Sequence, residues 1–402
     1  MALTDIEVVL TDEAREIRDT AHKFAEEVMR PAGTELDTLP DPAGVSAPGS
    51  ILWDVFEKYR ELGFNALESV DSEMDPAEAA RLRCMVNEEL GWGDSGLAIS
   101  LAVSGMPRIF AQMSGRPELI ERYCSPDNKE IGCWAITEPD HGSDTLAFDQ
   151  GPFADASIKA NCIATKDGDD WLINGQKAAW VSNGTIATVA ALFCTIDPSQ
   201  GFRGGGVAVV PLDLPGVSRG KPLNKLGQRA LDQGEIFFDD VRIPAQYMVI
   251  GSDAYGFILE TVLTLANAGM GTIFVGVARA ALEHAISYAK ERVQGGVPIF
   301  QHQSVKARLF RMFAQVEAAR SLARRVTVYN AINQPGLVQY SIASKVISTN
   351  TAFEVASGAL QIYGGNGLSR EYPVEKLLRD ARASMIEDGC NEILSLVGAE
   401  KL

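Results

Sequence analysis

The spacing of apolar residues changes twice along this 402-residue chain, and that double change constrains the fold more than any other feature. Up to about residue 130, apolar side chains recur at helical spacing. From there to about residue 245, short β-prone runs alternate with Gly, Asn, Asp and Pro. The helical period then returns and lasts nearly to the end. Helices bury one stripe and strands bury one face, so the two patterns need separate layers. The predicted class is mainly α with a β insert. It comprises an N-terminal helical domain over residues 1–130, a middle β domain over 131–245 and a C-terminal helical bundle over 246–402.

Thr11, Asp12 and Glu13 open a segment whose Ile17, Ala21, Phe24, Ala25 and Val28 share a helix face, with Pro31 expected to stop it. Residues 39–50 are rich in Pro, Gly and Ser and read as a loop. Helices are predicted over 51–62, 76–90 and 117–124. In the middle region, Trp171 to Ile173 followed by Asn174-Gly175 reads as a strand and a turn. Residues 207–210 and 235–238 read as strands, and 204–206 and 213–216 as turns. Long helices are predicted over 257–292, 304–331 and 338–363. Such helices pack as bundles, and their spare apolar faces often meet other subunits.

The formal net charge of -17 excludes a nucleic-acid partner, because phosphate binding needs a basic footprint. None of the six cysteines (Cys84, Cys124, Cys133, Cys162, Cys194 and Cys390) stands in a CxxC pair, so they read as thiols of a reducing compartment and no metal site is expected. The segment MALTDIEVVL lacks the basic start and apolar core of a signal peptide. No apolar run is read as long enough to span a bilayer. A cytoplasmic enzyme without a membrane partner is expected.

Four segments carry candidate chemistry. Residues 135–144 form a polar, turn-rich loop, suited to binding polar rings or phosphates or simply to connecting strands. In Trp180-Val181-Ser182-Asn183-Gly184, a Trp beside a hydroxyl suits either a planar cofactor or a β core. In Gln361-Ile362-Tyr363-Gly364-Gly365-Asn366-Gly367, the glycines allow close backbone approach, or they cap a helix. No strand precedes them, which argues against a dinucleotide-binding turn. Glu387 and Asp388, before Gly389, could include a general base or form the acidic first turn of a helix.

Taken together, TEPDHGSD, WVSNG, ERVQGGVPIFQHQ and QIYGGNGLSREYPVEKLLRDA occur in one order along nearly the whole chain. In that order and spacing the chain resembles the acyl-CoA dehydrogenases. The resemblance implies helical, β and four-helix-bundle domains, a homotetramer and bound FAD. It places Trp134, Ile136, Thr137, Trp180 and Ser182 along the flavin and Ser143 near the pantetheine of a thioester. Arg292, Gln303, Gln361, Gly364 and Gly365 would meet FAD from an adjacent subunit. An electron-transferring flavoprotein is the implied electron acceptor. In such chemistry a carboxylate takes the α proton of an acyl-CoA, and the β hydride goes to the flavin. Donors for the developing enolate would include the N–H of Asp388.

The pattern departs from the family at its centre. Asp388-Gly389-Cys390 stands where the family usually has Glu-Gly-Thr. Alignment on Gly389 makes Asp388 the base, with Glu387 the lesser alternative. The Asp carboxylate falls short by about 1.5 Å, one C–C bond. Asn267 and Ala266 stand where other members carry an Arg or an alternative base, and residues 70–79 lack the usual glycines. The readings left open are an ordinary dehydrogenase with an Asp base and a member with altered chemistry, such as elimination or dehydrogenation at another position. An acyl group carried on a protein and a non-catalytic binding descendant also remain open.

Overall fold

The computed structural model describes residues 5–6, 11–65, 74–125 and 127–402, so part of the 70–79 loop and most of the first ten residues lie outside it. Helix α1 (Asp12–Phe24) opens at Thr11, whose Oγ1 accepts the Ala14 N–H at 3.1 Å. Pro31 does not stop the helix. The chain continues through a π turn over Ala25–Met29 into α2 (Arg30–Thr38), and the Arg30 N–H reaches back to the Ala25 carbonyl. This wider turn shifts the ladder just before the residue that lacks an N–H, so the proline is absorbed.

Then come α3 (Ile51–Glu61), α4 (Pro76–Gly93), α5 (Ser95–Ser104), α6 (Met106–Ser114) and α7 (Pro117–Cys124). Helix α5 is buried almost all round, which is why no amphipathic stripe announced it.

The middle region is an eight-stranded sheet: β1 (Gly132–Ala135), β2 (Ile163–Asp167), β3 (Asp170–Ser182), β4 (Val189–Thr195), β5 (Gly205–Pro211), β6 (Val217–Arg219), β7 (Gln233–Pro244) and β8 (Met248–Ile250). The strands run in the order β6-β7-β3-β2-β4-β5-β8, with β1 parallel to β4. Asn174-Gly175 is not a turn. The hairpin turns at Gly168-Asp169, and Asn174-Gly175 lies inside β3 at a bulge against β7. Asn174 Nδ2 donates to Asp240 Oδ1 at 2.8 Å across that bulge. Nor do residues 204–206 turn. Gly205 and Gly206 begin β5, and a Cβ on Gly205 would stand 2.4 Å from the Tyr255 ring.

The C-terminal part holds α8 (Ser252–Glu291), the two-stranded ribbon of β9 (Val293–Gln294) and β10 (Val297–Pro298), and then α9 (Gln303–Ile332), α10 (Val338–Tyr363), α11 (Val374–Ser384) and α12 (Asn391–Ala399). Helix α8 is long and apolar enough, by length and composition, to cross a membrane, which corrects the sequence reading. Its most apolar window is 78% buried inside the protein. It runs between α4, α9 and α10 as the central helix. A buried ion cluster ties these layers together. The Glu88 carboxylate of α4 accepts from Arg279 (2.9 Å), Arg320 (2.8 Å) and Arg324 (3.1 Å) of α8 and α9. Buried charges persist only when so paired. The architecture is therefore helical, β and helical, in that order along the chain.

Candidate active site

Helix α11 ends at Ser384 and α12 begins at Asn391, and Glu387, Asp388, Gly389 and Cys390 occupy the turn between them. The paired carboxylates thus precede the helix instead of forming its first turn. Asp388 has φ of 53° and Gly389 has φ of 93°. The left-handed region is tolerated by Asp and natural for Gly. A Cβ on Gly389 would lie 2.8 Å from Leu146 Cδ1 and 2.9 Å from Leu394 Cδ2, so close packing also demands glycine. The Asp388 N–H donates to no protein group among the described residues. That is the property required of a donor reserved for a substrate oxygen.

Two side chains from elsewhere hold this turn. Ser143 Oγ accepts the Cys390 N–H at 2.9 Å, linking the polar loop after β1 to the turn. Lys345 of α10, with no exposed surface, donates to the Gly389 carbonyl at 2.7 Å and to Asn391 Oδ1 at 2.8 Å. Burial pushes the Asp388 carboxyl up to about 6, against the opposing pull of Lys345. Burial, with the neighbouring Asp388 charge, pushes Glu387 up to about 7. Glu387 Oε1 is held by Gln228 Nε2 at 2.5 Å, in the loop between β6 and β7. Burial draws Lys345 down to about 8. Sequence reasoning missed Lys345 and Gln228. The one signal for Lys345 was a lysine among the apolar residues of α10; Gln228 sits in a loop and carried none.

A second group lies on the sheet. Trp134 on β1 is 9% exposed and packs at a tilt against Phe193, with ring centroids 6.1 Å apart. Its Nε1–H has no hydrogen-bond partner among the described residues. Ile136 and Thr137 follow on the loop and are partly open. The backbone there is anchored by the fully buried Lys177, whose Nζ donates to Glu138 Oε1 at 2.6 Å and to the Ile136 carbonyl at 3.1 Å. Trp180 follows Ala179, which has φ of 46°, at a register shift in β3, and the bulge leaves its ring 58% exposed. Ser182 Oγ accepts Gln233 Nε2 at 3.2 Å. Asn183 is structural. Its Nδ2 donates to the Ser100 and Gly132 carbonyls at 2.9 and 3.1 Å, stitching α5 to β1.

The third group sits at one end of the bundle. Arg292 and Gln303 flank the β9–β10 ribbon, and Gln361, Gly364 and Gly365 end α10. The two helix ends touch through Tyr288 and Tyr363, whose rings stack at 3.9 Å, and through Asn366 Nδ2 donating to Tyr288 Oη at 2.9 Å. All five residues are exposed. Among the described residues nothing lies within 4 Å of a Cβ built on Gly364 or Gly365. No hydrogen bond among the described residues joins this group to the sheet group.

Comparison with known proteins resolves the family. The descriptions "Acyl-CoA dehydrogenase, N-terminal domain", "middle domain" and "C-terminal domain" match residues 11–126, 133–241 and 256–402 in turn. The chain belongs to the acyl-CoA dehydrogenase family. It is 32% identical to the cyclohex-1-ene-1-carbonyl-CoA dehydrogenase of Syntrophus aciditrophicus over 79% of this chain and 74% of that one. Among solved structures it is similar to butyryl-CoA dehydrogenase from Megasphaera elsdenii, with a TM-score of 0.84 and 28% identity over 98% and 99% of the two chains. It is also similar in fold to a chain in the structure described as the electron transferring flavoprotein of Acidaminococcus fermentans. There the TM-score is 0.84 and the identity 26%, over 98% and 99% of the chains.

Acyl-CoA dehydrogenases are FAD-dependent oxidoreductases. The residues present fit that cofactor. An exposed Trp ring beside a hydroxyl, the buried Trp134 N–H without a partner among the described residues, and two glycines open to close approach suit a planar ring joined to a phosphorylated tail.

Proposed function

We propose that this acyl-CoA dehydrogenase oxidises the α,β carbon–carbon bond of an acyl thioester with Asp388 as the α-proton base. The observation that carries the reading is the Asp388 turn itself. One residue there supplies a carboxylate near 6, ionised at neutral pH yet still basic, and an N–H with no acceptor among the described residues. The carboxylate takes the α proton while the N–H stabilises the thioester oxygen as enolate charge develops. Bound FAD supplies the electron sink.

Trp134, Ile136, Thr137, Trp180 and Ser182 hold the flavin, and Ser143 lies toward the pantetheine while bracing the turn. Arg292, Gln303, Gln361, Gly364 and Gly365 serve FAD from an adjacent protomer of a homotetramer. Their exposure, and the lack of hydrogen bonds to the sheet group among the described residues, support that placement. The electron acceptor is an electron-transferring flavoprotein, and six free thiols support a reducing, cytoplasmic setting.

A second reading is favoured by Glu387. A carboxyl near 7 one residue from the base offers a second acid for chemistry at another carbon, on CoA or on a carrier protein. Anaerobic titration with straight-chain, dicarboxylic and cyclic acyl-CoAs, watching the flavin bleach, separates the two. Bleaching with formation of the 2,3-enoyl product supports the first reading. A different product isomer, or no bleaching by any thioester, rejects it.

A further inference from the structure

Helix α10 packs against α8, and its buried polar side chains are mostly small hydroxyls such as Ser341, Ser344, Ser348 and Thr349. Yet it carries Lys345, with no exposed surface, one side chain's reach from the base turn. Two of its three N–H groups are spent on the Gly389 carbonyl (2.7 Å) and Asn391 Oδ1 (2.8 Å). Asn391 is itself held, its Nδ2 donating to Thr349 Oγ1 at 3.0 Å and Asn350 Oδ1 at 3.2 Å. The ammonium is therefore fixed on the side of the turn opposite the Ser143 contact. We propose that Lys345 is a positioning residue for the base: its ammonium pins the Asp388–Gly389–Cys390 turn and sets a positive charge against the residue next to Asp388. This rests on Asp388 being the base.

The electrostatics agree with the geometry. Lys345 is the one charge that opposes the rise of Asp388, and Asp388 is the carboxylate that acts most strongly on Lys345. The other titratable groups around the lysine are Glu387, Cys390 and Glu392, with Lys225 beyond Glu387. Helix α8 meets α10 beside it at Gly271 against Ser344, without a charge. A buried charge opposite a carboxylate favours the ionised form, whereas a neutral substitute leaves burial unopposed.

The test is the pH dependence of anaerobic flavin bleaching by the best thioester of the panel. It compares the unmodified holoenzyme, Lys345→Gln and Lys345→Met, with Asp388→Asn in parallel. The ascending limb of the unmodified enzyme is expected near pH 6. In both lysine variants it moves up by roughly one to three units. Lys345→Gln, which keeps a donor for Gly389, recovers most of the plateau at high pH, and Lys345→Met recovers less. Lower rates at every pH with an unmoved limb would mean that the lysine merely supports the fold, and would overturn the proposal.

If the neutral variants do not fold, Lys345→Arg keeps the charge, and its limb must stay put while the plateau falls; a limb that shifts refutes the electrostatic role. Infrared titration of the Asp388 carboxyl band, assigned by its loss in Asp388→Asn, reads the same shift without turnover. An active Asp388→Asn would instead reject the base assignment. An inactive Asp388→Asn with unmoved lysine variants rejects only the role of Lys345.

Discussion

Replacing Asp388 with Asn is the sharpest perturbation of the site, because it changes charge and almost nothing else. The residue holds φ of 53°, a region in which Asn is at home, so the turn is retained. With its carboxyl near 6, Asp388 is about nine-tenths ionised at pH 7 and about one-tenth at pH 5. Loss of a positioned base removes on the order of 10² to 10⁴ in rate. Asp388→Asn is therefore expected to bind FAD and thioester but to bleach at least about 100-fold more slowly in anaerobic stopped flow.

Any residual rate should follow Glu387, whose carboxyl stays raised by burial and comes down only in part once the neighbouring charge is gone. The stability effect has the opposite sign. Both carboxyls bind their protons more tightly folded than unfolded, so between about pH 4 and 7 the folded state holds the extra protons and stability falls as pH rises. Removing one of them should raise Tm at pH 8 and change it little at pH 4. An Asp388→Asn enzyme that bleaches within tenfold of the unmodified rate at pH 7, or an unmodified rate that is flat from pH 5 to 8, would refute the reasoning.

Gly389→Ala should lose at least about 1–2 kcal/mol from the left-handed backbone alone, and more from contact with Leu146 and Leu394, as measured by denaturant unfolding. Lys177→Met strands Glu138 in a site where neither side chain has exposed surface, and should cost about 3–5 kcal/mol and loosen the loop carrying Ile136 and Thr137. Trp180→Ala removes a ring that is 58% exposed, so apoprotein stability should stay within about 0.5 kcal/mol while FAD is lost on gel filtration. Arg292→Ala should likewise spare protomer stability and weaken FAD retention, with light scattering reporting whether a tetramer is present.

The helix-sheet-helix order followed from periodicity alone, because burying one face of a helix or strand leaves a period that sequence displays directly. Residues 338–363 coincide with α10, and 117–124 with α7, for that reason. Local rules failed where a neighbour supplied the missing term. A π turn carried the first helix past Pro31, and pairing with β7 turned Asn174-Gly175 into a bulge. At the site, the adjacent carboxylates and the glycine after them could be read residue by residue. The partners that give them chemistry could not. Lys345 is 44 residues from Gly389, Ser143 is 247 from Cys390 and Gln228 is 159 from Glu387. The sequence by itself determined which residue types stand at the turn. Only the tertiary structure decided their protonation, because a carboxyl's affinity for its proton is set by the burial and charge that distant elements bring to it.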